Sequence, residues 1–278
     1  FRFVGERVGC AYCLWAKRTE RVGKLSRIGK ATWCPKMRHF QFLFKRVIRN
    51  LRRETQKVFY IGSSVECPLC SWRGRIFLHS RCVNCGALAR HRFMAWLLDH
   101  RLHCTPKVIL HIGPNECEQR YLLRKYPSAQ YIGLDIYERP FVNLVADATT
   151  LPLSDNSVDL VIAWHVLEHI PDDLSAIKEA YRVCKPNGIF LFSVPIHPVG
   201  NLVTQEGNNS TPEQRLLYHG HPDHFRSCGL DYGERAKICG FSTRQIIVEN
   251  SATSEEKKKF GLSDKHVAWV CIKGTADV

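Results

Sequence analysis

Four short runs of β-branched and aliphatic residues, Val108–Ile112, Tyr131–Ile136, Val158–Ala163 and Ile189–Val194, alternate with polar, helix-compatible stretches. That alternation predicts βα units feeding a parallel sheet, an α/β architecture. Such sheets bind ligands at the carboxyl ends of their strands. Upstream, Met37, Phe40, Phe44, Val47, Ile48, Leu51 and Val58 recur at helical spacing, with Lys45, Arg46, Arg49, Arg52, Arg53 and Lys57 between them. This predicts an amphipathic helix with a basic face, able to dock on the neighbouring domain, a partner or a membrane surface, the first being favoured. Leu88, Phe93, Trp96, Leu97 and Leu102 predict a helix from Ala87 to Leu102 that covers one end of the sheet. Its first turns carry Arg90, His91 and Arg92, which face water or meet an anionic substrate group. Near the end, Leu230–Gly240 reads as a helix closed by its glycine. Ser242–Glu249 and His266–Lys273 read as an antiparallel strand pair, with Ser251–Lys259 as their exposed connection.

Charge changes this picture once it is located. The chain of 278 residues carries a net charge of +14. Residues 1–60 hold sixteen Lys and Arg against three Asp and Glu, whereas the other 218 residues hold 24 against 23. A basic N-terminal segment points to an anionic partner such as nucleic acid, a phosphate-rich glycan or anionic lipid, or to a solvated tail. No run of eighteen apolar residues occurs, so no transmembrane helix is expected, and residues 1–16 lack the core of a secretory signal.

Cys67-x-x-Cys70 and Cys82-x-x-Cys85 stand eleven residues apart. Each pair bends the backbone so that both sulfurs face one point, and two such knuckles supply the four thiolates that structural Zn²⁺ prefers. Gly86 suits the positive φ of the closing turn. Four thiolates close the coordination sphere, so His79 and His91 are not needed and the metal is structural. This spacing favours metal over disulfides and a reducing compartment, the cytoplasm. A further pair, Cys10 and Cys13, could form a second site with Cys34 and His39.

At the predicted carboxyl ends, Gly113 follows the first strand and Asp135 stands 22 residues later, where an acidic side chain binds ribose hydroxyls. Asp147, after the third strand, can accept a hydrogen bond from an adenine amino group. The fourth strand ends at Trp164 and His165, over the crevice. Here the chain resembles the class I S-adenosylmethionine-dependent methyltransferases, specifically the methyltransferase-11-like group, over about 107–272. The residues that carry the resemblance are VILHIGPNE, Asp135, ADATTLPLSDNSVDLVIAWHVLEHI and LSAIKEAYRVCKPNGIFLFSVP. The cysteine block followed by GALARHR also resembles a bacterial subgroup that joins two cysteine knuckles to this domain.

The resemblance implies a Rossmann-like methyltransferase fold, a mostly parallel seven-stranded sheet with helices on both faces, preceded by a zinc-ribbon-like module. The implied boundaries are 1–60 for the basic segment, 61–92 for the zinc module and 93–278 for the methyltransferase domain. It implies S-adenosyl-L-methionine as cofactor, contacted by His111, Gly113, Asn115, Glu116, Asp135, Ile136, Asp147, Ala148, Trp164 and His165. The family's first motif commonly reads E/D-x-G-x-G-x-G; here His111 replaces the acidic residue and two glycines are missing. G-x-G-x-x-G is absent, which disfavours a nicotinamide cofactor.

A hydroxyl or amine acceptor needs a base to remove its proton. His165 is the leading candidate and His169 the next, with Glu168 orienting a histidine or capping a turn. Residues 197–228 form an insertion that the resemblance makes the substrate-side lid, with His197, His221, His224 and Arg226 as contacts beside His219 and Asp223. His221-x-x-His224 also admits a metal reading. No D/N-P-P-Y/F/W and no Pro-Cys follow the fourth strand, which disfavours exocyclic amines of adenine and covalent C5 methylation. A small-molecule or glycan acceptor is the favoured reading. RNA, through the basic segment, is an alternative enzyme reading. A degenerate domain acting as a binding module, motivated by the altered first motif, is another.

Overall fold

The computed structural model describes residues 54–207 and 211–274. The candidate second zinc site at Cys10, Cys13, Cys34 and His39 lies outside them, as does most of the predicted amphipathic helix, of which 54–59 are helical. β1 (Ile61–Glu66) pairs antiparallel with β2 (Arg73–Gly74) around the first knuckle. Then follow α1 (Ala89–His100), β3 (Val108–Ile112), α2 (Glu116–Lys125), β4 (Gln130–Asp135), β5 (Leu144–Val145) and β6 (Val158–Trp164). After them come α3 (Asp173–Val183), β7 (Cys184–Ser193), α4 (Pro212–His219), α5 (Gly233–Ile238), β8 (Phe241–Ile247), α6 (Ser254–Phe260) and β9 (Val267–Lys273). The main sheet has seven strands in the order β5-β4-β3-β6-β7-β9-β8. Neighbours pair in parallel except at β9, which runs antiparallel to both β7 and β8. The chain leaves β3 for β4 on one side and later returns to β6 on the other, so the crevice opens at the carboxyl ends of β3 and β6.

The pleat sorts side chains between two cores. Ile109, Leu160, Ile162, Trp164 and Leu191 join Phe93, Trp96 and Leu97 of α1 and Leu122 of α2. Leu110, Val161, Ala163, Phe190 and Phe192 join Ala176, Ile177 and Ala180 of α3 and Ala236 of α5. Alternation along β3 and β6 thus feeds both layers, as a two-residue period requires. Helices cover both faces of the sheet.

Two expectations change. α1 is buried on every side from His91 to Leu98, so His91 and Arg92 do not face water. The segment Ser251–Lys259, expected as a connection between strands, is exposed or half-buried from 253 to 259 but is mostly helical. It forms α6, which ends one residue later at Phe260, buried in the core beneath α1. A capping box starts that helix: Thr253 Oγ1 accepts from Glu256 N–H at 3.1 Å and Glu256 Oε2 accepts from Thr253 N–H at 2.8 Å. This T-x-x-E signal was present in the sequence.

Candidate active site

The two cysteine knuckles are built alike. Cys67 N–H donates to Trp72 O and Cys82 N–H to Ala87 O, both at 2.9 Å. Ser71 N–H donates to Cys67 O and Gly86 N–H to Cys82 O, both at 2.8 Å. Ser71 and Gly86 take φ of 56° and 78° at equivalent positions, the left-handed conformation expected for the second turn. Across the knuckles, Sγ of Cys67 lies 3.7 Å from that of Cys85, and Sγ of Cys70 lies 3.6 Å from that of Cys82. Sulfurs about 2.3 Å from a tetrahedral zinc stand about 3.8 Å apart, whereas a disulfide holds them at about 2.05 Å. The four thiols therefore fit a zinc ion. The knuckles share the α1 core, with Cys67, Leu69, Cys82 and Ala87 buried in it.

Beside them Arg92, 1% exposed, has no carboxylate partner among the described residues. Its guanidinium donates to the carbonyls of Ser80, Ala87, Phe260 and Gly261 and stacks on Phe77 at 3.8 Å. Burial pushes its pKa down, while Cys67, Cys82 and Cys85 push it back up. A zinc tetrathiolate carries two negative charges, the counter-charge that this buried cation lacks elsewhere.

At the crevice, Gly113 has φ of 60°, and a Cβ there would meet Val166 Cγ2 at 2.6 Å, so a larger residue would strain the turn and push on Val166. Asn115 caps α2, its Oδ1 accepting from Cys117 N–H at 3.1 Å and its own N–H donating to Glu118 Oε2 at 3.1 Å. Glu116 is exposed and pairs with Arg120. Asp135 ends β4, its Oδ1 accepting from Tyr137 N–H at 3.1 Å while Oδ2 lies 3.3 Å from Arg139 Nε. Asp147 is exposed and accepts from the backbone and hydroxyl of Thr149 at 2.8 Å, with Ala148 buried behind it. Ile136 and Tyr137 are 58% and 62% exposed beside Asp135, an apolar surface suited to a purine ring.

His111 and Trp164 do not join this set. Their side chains share the face of Ile109 and Ile162, so the pleat turns both toward α1 and α2 and away from the crevice. His111 is wholly buried, with Nδ1 3.0 Å from Tyr131 Oη and Nε2 3.5 Å from Glu118 Oε2. Burial holds its pKa down at about 3 and pushes the Glu118 carboxyl up to about 8, so both stay uncharged at neutral pH. Glu118, from α2, is the acidic side chain that packs against His111. Trp164 Nε1 donates to Arg90 O at 2.9 Å and its ring packs on Phe93.

His165 follows β6 with φ of 56°, a conformation costing about 1 kcal/mol or more outside glycine. Its N–H donates to Ser193 O at 2.9 Å. Its Nδ1 lies 3.5 Å from Glu168 Oε1, and its buried Nε2 has no hydrogen-bond partner among the described residues. Burial lowers its pKa to about 3 and raises that of Glu168. His165, Glu168, His169, His197, His221 and His224 line one cavity of about 640 Å³. Arg226 does not line it. It is 1% exposed and donates to the carbonyls of Leu167, Ile170 and Pro171 while pairing with Asp173 and Glu206. It fixes the loop after α4 to the turn after β6, with every guanidinium nitrogen engaged. The gathering of His169 with His221 and His224 is what sequence reading missed.

Residues 110–192 match the model of the methyltransferase-domain family. A probable S-adenosylmethionine-dependent methyltransferase of Mycolicibacterium smegmatis (strain ATCC 700084 / mc(2)155) is 31% identical over 133 residues, 44% of this chain and 49% of that protein. A probable S-adenosylmethionine-dependent methyltransferase of Mycobacterium tuberculosis (strain ATCC 25618 / H37Rv) is 24% identical over 143 residues, 48% of this chain and 47% of the relative. The chain spans about half the length of these curated relatives. Among solved structures, a SAM dependent methyltransferase from Archaeoglobus fulgidus aligns with TM-score 0.47 and 16% identity, covering 66% of this chain and 94% of that one. The matched segment is thus similar to a methyltransferase domain and to S-adenosylmethionine-dependent methyltransferases.

Proposed function

We propose that the protein transfers a methyl group from S-adenosylmethionine to an oxygen or nitrogen atom of a small-molecule acceptor, with a structural zinc held by Cys67, Cys70, Cys82 and Cys85. The observation that carries this reading is the arrangement at the carboxyl ends of the sheet. Asp135 and Asp147 stand at one side of the crevice, and a cavity lined by His165 stands at the other. Gly113, Asp135, Ile136, Asp147 and Ala148 would hold the cofactor, whose sulfonium supplies an electrophilic methyl group. Asp135 suits ribose hydroxyls and Asp147 the adenine amino group.

The chain's contribution is alignment, which can supply roughly 7–11 kcal/mol through proximity and orientation. His165 is the candidate base. It is uncharged, and Glu168 at Nδ1 favours the tautomer that leaves the Nε2 lone pair available. The cavity volume of about 640 Å³ suits a small molecule. The RNA reading rested on residues 1–60, most of which lie outside the described residues, and nothing in the cavity favours it. The binding-module reading rested on the altered first motif; the turn at Gly113 and the cap of α2 by Asn115 and Glu118 form without the missing glycines.

Calorimetric titration with S-adenosylmethionine tests this. One molecule should bind per chain, with affinity at least tenfold weaker in Asp135→Ala. Absence of binding at near-millimolar cofactor would refute the enzyme reading.

A further inference from the structure

We propose a second metal site. His169, His221 and His224 bind a divalent transition-metal ion of the zinc class on the wall of the acceptor cavity, with the buried Glu168 carboxyl beside His169. One ring nitrogen of each histidine lies within 4.8 Å of the others. Nitrogens about 2.0–2.1 Å from a tetrahedral zinc stand about 3.4 Å apart, so modest ring rotations would close the set. The rings already face one another, with centroids of His169 and His221 each 4.8 Å from that of His224. Imidazoles with a carboxylate suit zinc and its neighbours and disfavour calcium or magnesium.

The site is held by the fold and not assembled by chance on a surface. His169 ends the short turn after β6, whereas His221 and His224 come from the loop after α4. Phe225 N–H donates to Glu168 O at 2.9 Å, and Arg226 fixes the same loop to the carbonyls of Leu167, Ile170 and Pro171. His169 Nδ1 lies 3.2 Å from Asp223 O and donates to it, which leaves the Nε2 lone pair for a ligand. Metal-bound histidines usually carry this kind of second hydrogen bond. His221 Nδ1 accepts from Asp223 N–H at 3.2 Å, a long bond that ligation through this atom would replace.

Glu168 is the independent observation that points to an ion. Its side chain is 1% exposed, and Oε2 has no hydrogen-bond partner among the described residues. Oε1 lies 3.7 Å from His169 Nε2 and 3.5 Å from His165 Nδ1. Buried polar atoms are nearly always partnered, and Oε2 has none on a carboxyl whose other oxygen lies beside His169. A cation ligated by His169 would stand next to that carboxyl and meet its need for a partner. Because these groups line the cavity, such an ion would keep a coordination position toward its interior. An acceptor hydroxyl bound there would be held and acidified before meeting the methyl group. That last step rests on the methyltransferase reading; the binding of the ion does not.

The test is zinc content of the full chain, dialysed against micromolar Zn²⁺ and compared with His224→Ala and with the exposed-site variant His221→Ala. The wild type should hold a second zinc beyond the cysteine-bound one. Each variant should lose only that zinc, its affinity falling on the order of 100-fold, and should still bind S-adenosylhomocysteine. Equal zinc content in wild type and both variants would overturn the site and leave the methyltransferase reading standing. A second zinc in a chain that binds no S-adenosylhomocysteine would uphold the site and sink that reading.

Discussion

The cysteine cluster and the histidine cluster each gather ligating side chains around one point, but they are made in opposite ways. The four cysteines lie within nineteen consecutive residues, in two knuckles with the same hydrogen bonds, and their sulfurs already stand at tetrahedral spacing. They are packed into the α1 core, beside the buried Arg92, whose pKa is lowered by burial and pushed back up by Cys67, Cys82 and Cys85. The histidines come from two segments 52 residues apart, line an open cavity, and stand wider than a bound ion would hold them. A closed thiolate set serves folding, whereas an open imidazole set beside a crevice serves a ligand. The contrast predicts different consequences for breaking each one.

The largest effect is expected at the knuckles. Cys67→Ser with Cys82→Ser should abolish the cysteine-bound zinc and lower unfolding free energy by on the order of 5 kcal/mol or more, read by metal analysis and denaturant unfolding. Arg92→Met should cost about 3–5 kcal/mol, because four carbonyls, two of them in buried hydrogen bonds, lose their donor and the thiolate charge loses its partner. Equal stability of this variant and wild type would remove the charge argument for zinc.

Glu118→Gln probes the buried groups beside His91 and His111. Its folded pKa of about 8 exceeds the usual carboxylate value, so the wild type is most stabilised below about pH 4.5 and loses that contribution as pH rises through 8. The glutamine keeps the capping geometry without the charge. Thermal unfolding should favour the variant increasingly from pH 5 to pH 8, by about 3 kcal/mol at most, and parallel pH profiles would contradict this. His221→Ala should change stability by no more than about 0.5 kcal/mol, as expected for an exposed side chain. A loss of several kcal/mol there would make the histidine cluster structural, erasing the contrast.

What could be read from the chain alone follows the range of each interaction. The strands were legible because the pleat repeats every two residues, and the knuckles because their ligands and turns are local. The same period in β3 and β6 could have turned His111 and Trp164 toward the helices, had it been applied residue by residue. The Thr253–Glu256 box could have marked α6. The burial of Arg92 depends on carbonyls contributed by residues near 260, and Arg226 is absorbed by three carbonyls near 170. No local pattern announces either. His169 meets His221 and His224 only because the loop after α4 folds back over the end of β6.

The most direct measurement is a crystal structure of the full chain with S-adenosylhomocysteine, the product of methyl transfer. The ribose is expected on Asp135, the adenine beside Ile136 and Asp147, and the sulfur facing the cavity lined by His165. A product molecule bound elsewhere, or bound in the crevice with its sulfur turned away from that cavity, would contradict the proposed site.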